Sequence, residues 1–106
     1  MIRPTRYFSN KQEKKIAKAV QGQQVANSGA TAFKKGDVTT ENWLFEAKTK
    51  TTESKSFSIK REWIEKNKEE AFAMGKDYSA LVIDFGDGEQ FYLLDEKTFL
   101  ELKGNL

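Results

Sequence analysis

Residues 43–50 read Trp-Leu-Phe-Glu-Ala-Lys-Thr-Lys, and their alternation decides how the rest of the chain is arranged. Successive side chains of an extended strand point to opposite faces. Trp43, Phe45, Ala47 and Thr49 therefore share one face, and Leu44, Glu46, Lys48 and Lys50 share the other. Period-2 alternation predicts a strand with an apolar side and a side that carries charge. Working upstream, Thr39 to Asn42 read as a hairpin turn, which makes Asp37-Val38 the start of a short partner strand. The small residues 28–32, then Phe33, Lys34 and Lys35, read as a loop entering a Gly36-Asp37 turn, and residues 23–27 as another short strand.

Downstream, the polar stretch 50–58 leads into a helix over 59–74, with Ser58 as its cap and Gly75 as its stop. Trp63, Ile64, Asn67, Ala71 and Met74 fall along one side of it. Residues 79–85 and 90–94 are strands joined through Gly86-Asp87-Gly88, a hairpin signal. That turn lacks the remaining ligands of a calcium loop. Residues 95–103 read as a terminal helix. At the other end, residues 1–8, with Arg3, Pro4 and Arg6, read as a basic arm. Ser9 is the expected N-cap of a helix over 10–21, with Gln12 at the capping-box position. Glu13, Ile16, Ala17 and Val20 form its inner stripe, so Glu13 is an acidic residue on a face that should be apolar. The order α, β, β, β, α, β, β, α predicts one α/β domain with a mixed central sheet spanning residues 1–106.

Composition narrows the chemistry. The chain of 106 residues has no histidine and no cysteine. This excludes Ser-His-Asp and Cys-His nucleophile systems, zinc fingers, zinc-hydroxide hydrolases and disulfide scaffolds. Any catalysis must draw on carboxylates, lysine and hydroxyls, with an oxygen-bound cation such as Mg2+ as a further option. No window approaches 18 apolar residues and no signal peptide opens the chain, so a soluble intracellular (cytoplasmic) protein without a membrane partner is expected. The formal charge of +2 hides an asymmetry: residues 1–60 carry 12 Lys/Arg against 5 Asp/Glu, and residues 61–106 carry 6 against 11. A basic half of this kind points to a polyanion-binding face. The 8 Phe, 3 Tyr and 2 Trp are numerous for the size and leave some for a subunit interface.

Asp37, eight intervening residues, Glu46, Ala47 and Lys48 form the pattern that carries chemistry. Glu46 and Lys48 project from one strand face, and Asp37 on the neighbouring strand reaches the same place. Two carboxylates without histidine suit Mg2+, and a lysine beside them can orient water and offset charge on a phosphate. Glu-x-Lys alone also marks an ordinary ion-paired sheet face. The preceding Gly-Asp and the inward-facing Glu13 tip the reading toward a site.

The runs Gln12-Glu13, Ser28-Gly29-Ala30, Lys35-Gly36-Asp37-Val38 and Phe45-Glu46-Ala47-Lys48-Thr49 resemble the PD-(D/E)xK nuclease superfamily. Within it they are closest to the archaeal-type Holliday junction resolvases, including small phage-encoded members. Ser56, Ser58, Trp63, Ala71 and Gly75 continue the likeness, which covers about residues 8 to 86. Gly36 stands at the Pro position. The resemblance implies a restriction-endonuclease-like three-layer α/β/α domain with a mixed sheet. It also implies a metal-dependent endodeoxyribonuclease, active as a homodimer, that resolves four-way DNA junctions by paired symmetric nicks. Asp37 and Glu46 would bind Mg2+ or Mn2+ with the Ala47 backbone carbonyl. Lys48 would position the water, Glu13 would contribute through metal-bound water or a second metal, and Ser28 would lie beside the scissile phosphate. Arg3, Arg6, Lys11, Ser28, Gly29, Lys34, Lys35, Lys50, Lys55, Ser56, Ser58 and Lys60 are the expected DNA contacts. Other branched or flap DNA, a catalytically inactive DNA-binding module and a protein-interaction module are the competing expectations. Trp63 and Phe72 are expected in the core or at the dimer contact.

Overall fold

The computed structural model describes residues 5–25 and 37–104. The elements run α1 (Thr5–Val20), β1 (Gln23–Gln24), β2 (Asp37–Thr39), β3 (Trp43–Thr49), α2 (Arg61–Ala73), β4 (Tyr78–Asp84), β5 (Gln90–Leu93) and α3 (Glu96–Gly104), in the expected order. They build an α/β domain around a five-stranded mixed sheet ordered β1-β2-β3-β4-β5. Every neighbouring pair is antiparallel except β3 and β4. That one parallel pair follows from α2, whose crossover brings the chain back to the same end of the sheet.

The alternation along β3 sorts the two faces. Phe45 packs with Ile16, Val38, Ala80 and Val82 into the core beneath α1, with Ala17, Val20, Trp43, Ala47 and Leu94 around it. Leu44, Leu81 and Ile83 are buried on the opposite face, toward α2 and its buried Asn67 and Ala71. The Asn67 amide donates to the Ala80 carbonyl at 3.1 Å, which ties the helix to the sheet. Fully burying an aliphatic side chain such as Ile16 or Leu44 stabilises by about 1.5–3 kcal/mol.

Several boundaries differ from expectation. Helix α1 begins at Thr5, so Ser9 lies inside it and is not its cap, and residues 5–8 belong to the helix and not to an arm. Tertiary packing overrides the capping signal here: Phe8 is half-buried and meets Tyr7 edge-on at 5.2 Å. Helix α2 begins at Arg61 with Lys60 in the N-cap position and no side-chain cap, so Ser58 does not cap it. Strand β1 is Gln23–Gln24 with Val25 outside it, and residues 26 and 27 of the expected strand lie outside the described residues.

Both helix stops have physical causes. At the end of α1 it is Gln21 that takes the left-handed conformation, φ 57°. Gly22 is needed for space, because a Cβ there would lie 2.4 Å from the Thr39 carbonyl oxygen. Gly75 ends α2 as expected, at φ 72°, with Gly75 N–H donating to Phe72 O and Lys76 N–H to Ala71 O. These two bonds satisfy carbonyls that the helix end would otherwise leave open.

Candidate active site

Asp37 and Glu46 are register partners across β2 and β3. Directly opposed residues of an antiparallel pair project to the same face. Lys48 stands two residues further along that face, and its ammonium lies 3.3 Å from the Glu46 carboxylate. All three share the face of Leu44, toward α2. Asp37 is 1% exposed, and the Glu46 and Lys48 side chains are 15% and 30% exposed.

Glu46 and Lys48 form the sheet side of an open groove of about 520 Å³, whose other wall is Glu62, Trp63, Lys66, Glu69 and Glu70 of α2. The Lys48 ammonium sits 4.3 Å from the centroid of the Trp63 ring, and the Lys60 ammonium 5.9 Å. Trp63 meets Phe57 edge-on at 6.5 Å, and Phe57 meets Phe85 at 5.9 Å. Lys50 lies over Phe57 at 5.2 Å. Trp63 is thus a groove wall with a cation on its face, a role that the side-chain periodicity of α2 did not reveal.

Burial pushes the Glu46 carboxyl above its ordinary range, and the Glu70 charge adds to the shift. The Lys48 ammonium, its hydrogen bond to Glu46 and the Lys66 charge oppose it without cancelling it. A carboxylate disfavoured as a bare anion in this way gains from a nearby cation. The donor chemistry fits Mg2+ or Mn2+: two carboxylates on adjoining strands, and the Ala47 backbone carbonyl between Glu46 and Lys48. Mg2+ is commonly held through one or two carboxylates and keeps several of its waters. Among the described residues no three acidic side chains gather closely enough to hold an ion. Asp37 and Glu46 are brought together by strand register, while Glu13 stands on α1.

Glu13 has other partners. Its carboxylate accepts from the Gln24 amide at 3.2 Å, and the same amide donates to Asn10 Oδ1 at 3.0 Å. Burial raises its pKa, while the Gln24 bond and the charge of Arg6 pull it down.

The expected DNA contacts scatter around this centre. Lys55, Ser56, Ser58 and Lys60 are exposed on the connection from β3 to α2, and Lys50 is exposed at its start. Ser54 organises that connection, since its hydroxyl donates to the Ser56 carbonyl and accepts from the Ser56 N–H. Lys11 and Lys50 line a second hollow with Lys15, Asp84, Gly86 and Gly88. Arg6 is exposed on α1. Arg3, Ser28, Gly29, Lys34 and Lys35 lie outside the described residues.

Gln12, expected at a capping box, is 3% exposed in the middle of α1. Its amide donates to Lys48 O and Val82 O, both at 3.1 Å, and to Gln90 Oε1 at 2.9 Å. The i, i+4 row of Gln12, Ile16 and Val20 was the available signal that Gln12 turns inward. No protein-family model, no curated protein and no solved structure matches the chain.

Proposed function

We propose that the chain is a divalent-cation-dependent DNA endonuclease of the PD-(D/E)xK type, which resolves four-way junctions as a homodimer. The observation that carries this reading is the register pairing of Asp37 with Glu46, with Lys48 next on the same strand face. The element order and the α2 crossover between β3 and β4 support a restriction-endonuclease-like α/β/α architecture.

Asp37, Glu46 and the Ala47 carbonyl would hold Mg2+ or Mn2+. When bound, the ion supplies charge stabilisation for the phosphate and a more acidic water. Lys48 donates hydrogen bonds that orient the attacking water and offsets charge building on the phosphate oxygens. The new water-oxygen to phosphorus bond forms as the bond to the 3′ oxygen breaks; the attacking water gives up a proton to solvent and the 3′ oxygen takes one up, leaving 3′-hydroxyl and 5′-phosphate ends. Glu13, whose carboxylate accepts from the Gln24 amide, would contribute only through metal-bound water or a second metal. Lys60 beside Trp63, with Lys50 and Lys55 on the connection from β3 to α2, would hold the DNA backbone, since phosphate contacts position a branched substrate without reading its sequence.

Two symmetric nicks need two sites, and one chain provides one. The homodimer is supported by exposed apolar side chains: Phe72 is 86% exposed, Phe99 53% and Leu100 54%. No helix among the described residues is long and apolar enough to cross a membrane.

The test is cleavage of labelled four-way junction, flap and linear duplex DNA with Mg2+. The wild type is expected to make paired nicks at the junction, and Glu46→Ala and Lys48→Ala to lose about 100-fold or more of the rate. Equal cutting of linear duplex sinks junction selectivity. Unchanged cleavage by both variants sinks the site, and junction binding without cutting leaves only a binding module.

A further inference from the structure

We propose that Trp63 is the positioning residue for Lys48: its indole face keeps the Lys48 ammonium in the groove once the Glu46 carboxylate is taken up by a cation. The inference rests on the cation-dependent reading of Asp37, Glu46 and Lys48, and it deepens that reading.

Among the described residues the Lys48 ammonium has two partners, the Glu46 carboxylate at 3.3 Å and the Trp63 ring at 4.3 Å from its centroid. They differ in what a bound cation does to them. Glu46 would share its negative charge with the cation, and the cation itself repels the ammonium. The attraction that holds Lys48 to Glu46 then largely disappears. A lysine on a flexible four-carbon stem, with 30% of its side chain already exposed, has an open route to solvent. The Trp63 ring carries no net charge that a cation could neutralise, so its attraction for the ammonium persists.

The ring is also held in place. It stands in the first turn of α2, edge-on to Phe57, and Phe57 is braced in turn by Phe85. A cation held on an aromatic face keeps its full positive charge and its outward N–H donors. Those donors are what a water or a phosphate oxygen requires. Lys60 is the only rival cation recorded on this ring among the described residues; at 5.9 Å it is further out, and it is exposed enough to serve the DNA backbone instead.

Proton NMR of the cation-free protein tests the inference without any catalytic readout. The Lys48 ε-methylene protons should be shifted upfield by the indole ring current. Glu46→Gln removes the anionic partner, as occupancy by a cation would neutralise it, and the upfield shift should be kept or enlarged. Trp63→Leu should abolish the shift, and Trp63→Phe, a more conservative change to the fold, should keep part of it. Return of these protons to their exposed-lysine position in Glu46→Gln overturns the proposal. With Mg2+ and four-way junction, Trp63→Leu should lower kcat roughly 3- to 30-fold, while junction affinity without divalent cation stays unchanged. Trp63→Phe should recover part of the rate. Equal losses in affinity and kcat would overturn the positioning role. If the wild type cuts no DNA, the nuclease reading fails alone, since the ring-current shifts still decide whether Trp63 holds Lys48.

Discussion

Gln12 joins α1 to three strands through one carboxamide, by way of Lys48 O on β3, Val82 O on β4 and the Gln90 side chain on β5. Gln90 passes the connection on to Asp84 Oδ2 at 2.7 Å, and Asp84 Oδ1 accepts the N–H groups of Gly86 and Gly88 in the β4–β5 turn. Replacing Gln12 with leucine keeps the volume and strips one buried and two partly buried acceptors of their donor. Each such loss costs about 1–3 kcal/mol, so Gln12→Leu should lower stability by about 2–4 kcal/mol in urea unfolding with an unchanged m-value. A loss below about 0.5 kcal/mol would show that the bonds are replaceable. At this scale the sequence was legible only in part. The Asp37, Glu46 and Lys48 set could be read because strand geometry converts spacing directly into shared faces. The partners of Glu13 and Trp63 could not, because Gln24 lies on another element and the Trp63–Lys48 contact depends on where α2 lands. Local periodicity contains neither distance.

Among the elements, α3 shows how much one residue outside a helix can do. Asp95 Oδ1 accepts the Thr98 N–H at 2.9 Å and its carbonyl accepts the Phe99 N–H at 3.0 Å. Asp95 is also paired with Lys68 on α2. The Lys68 and Thr98 bonds hold the Asp95 carboxyl well below its ordinary range. Lys68 is half-exposed, so the ion pair adds little beyond the cap itself. Asp95→Ala should therefore cost about 1–2 kcal/mol at neutral pH, read as a fall in Tm of roughly 4–10 °C. The depressed pKa sets the sign: the contribution is complete above the unfolded value near 3.8. It is lost as pH falls through the folded value, so the two Tm curves should converge in strong acid. Curves that stay parallel to pH 2 would mean the charge is irrelevant to the cap. Element order and type followed from the sequence because alternation, Gly75 and the Gly86-Asp87-Gly88 turn are local signals. Helix starts did not follow: Ser9 and Ser58 are good caps in isolation, but burial of Phe8 and Gln12 carries α1 past the first, and α2 begins beyond the second.

At the scale of the whole molecule, the division into a basic first half and an acidic second half does not become two separate faces. The crossover lays α2, with Glu62, Glu69 and Glu70, against the strand that carries Glu46 and Lys48. The groove holds four carboxylates against Lys48 and Lys66. Such a field draws cations inward and opposes phosphates, so on the proposed reading the cation would gather in the groove and the DNA backbone would meet a repulsive wall at α2. The double variant Glu62→Gln, Glu69→Gln separates the two effects. Each exposed charge acting over about 10 Å of water contributes roughly 0.4 kcal/mol. Removing both should tighten cation-free junction binding about fourfold at low salt, with the gain fading as ionic strength passes about 0.15 M. The same variant should need more Mg2+ for half-maximal cleavage, because the groove attracts the cation less. Fluorescence anisotropy over a salt series and cleavage over a Mg2+ series provide the two readouts. Unchanged low-salt affinity would place the DNA backbone away from α2. An unchanged Mg2+ requirement would mean that the cation responds to Asp37 and Glu46 alone, and that the acidic wall of α2 does not serve the metal.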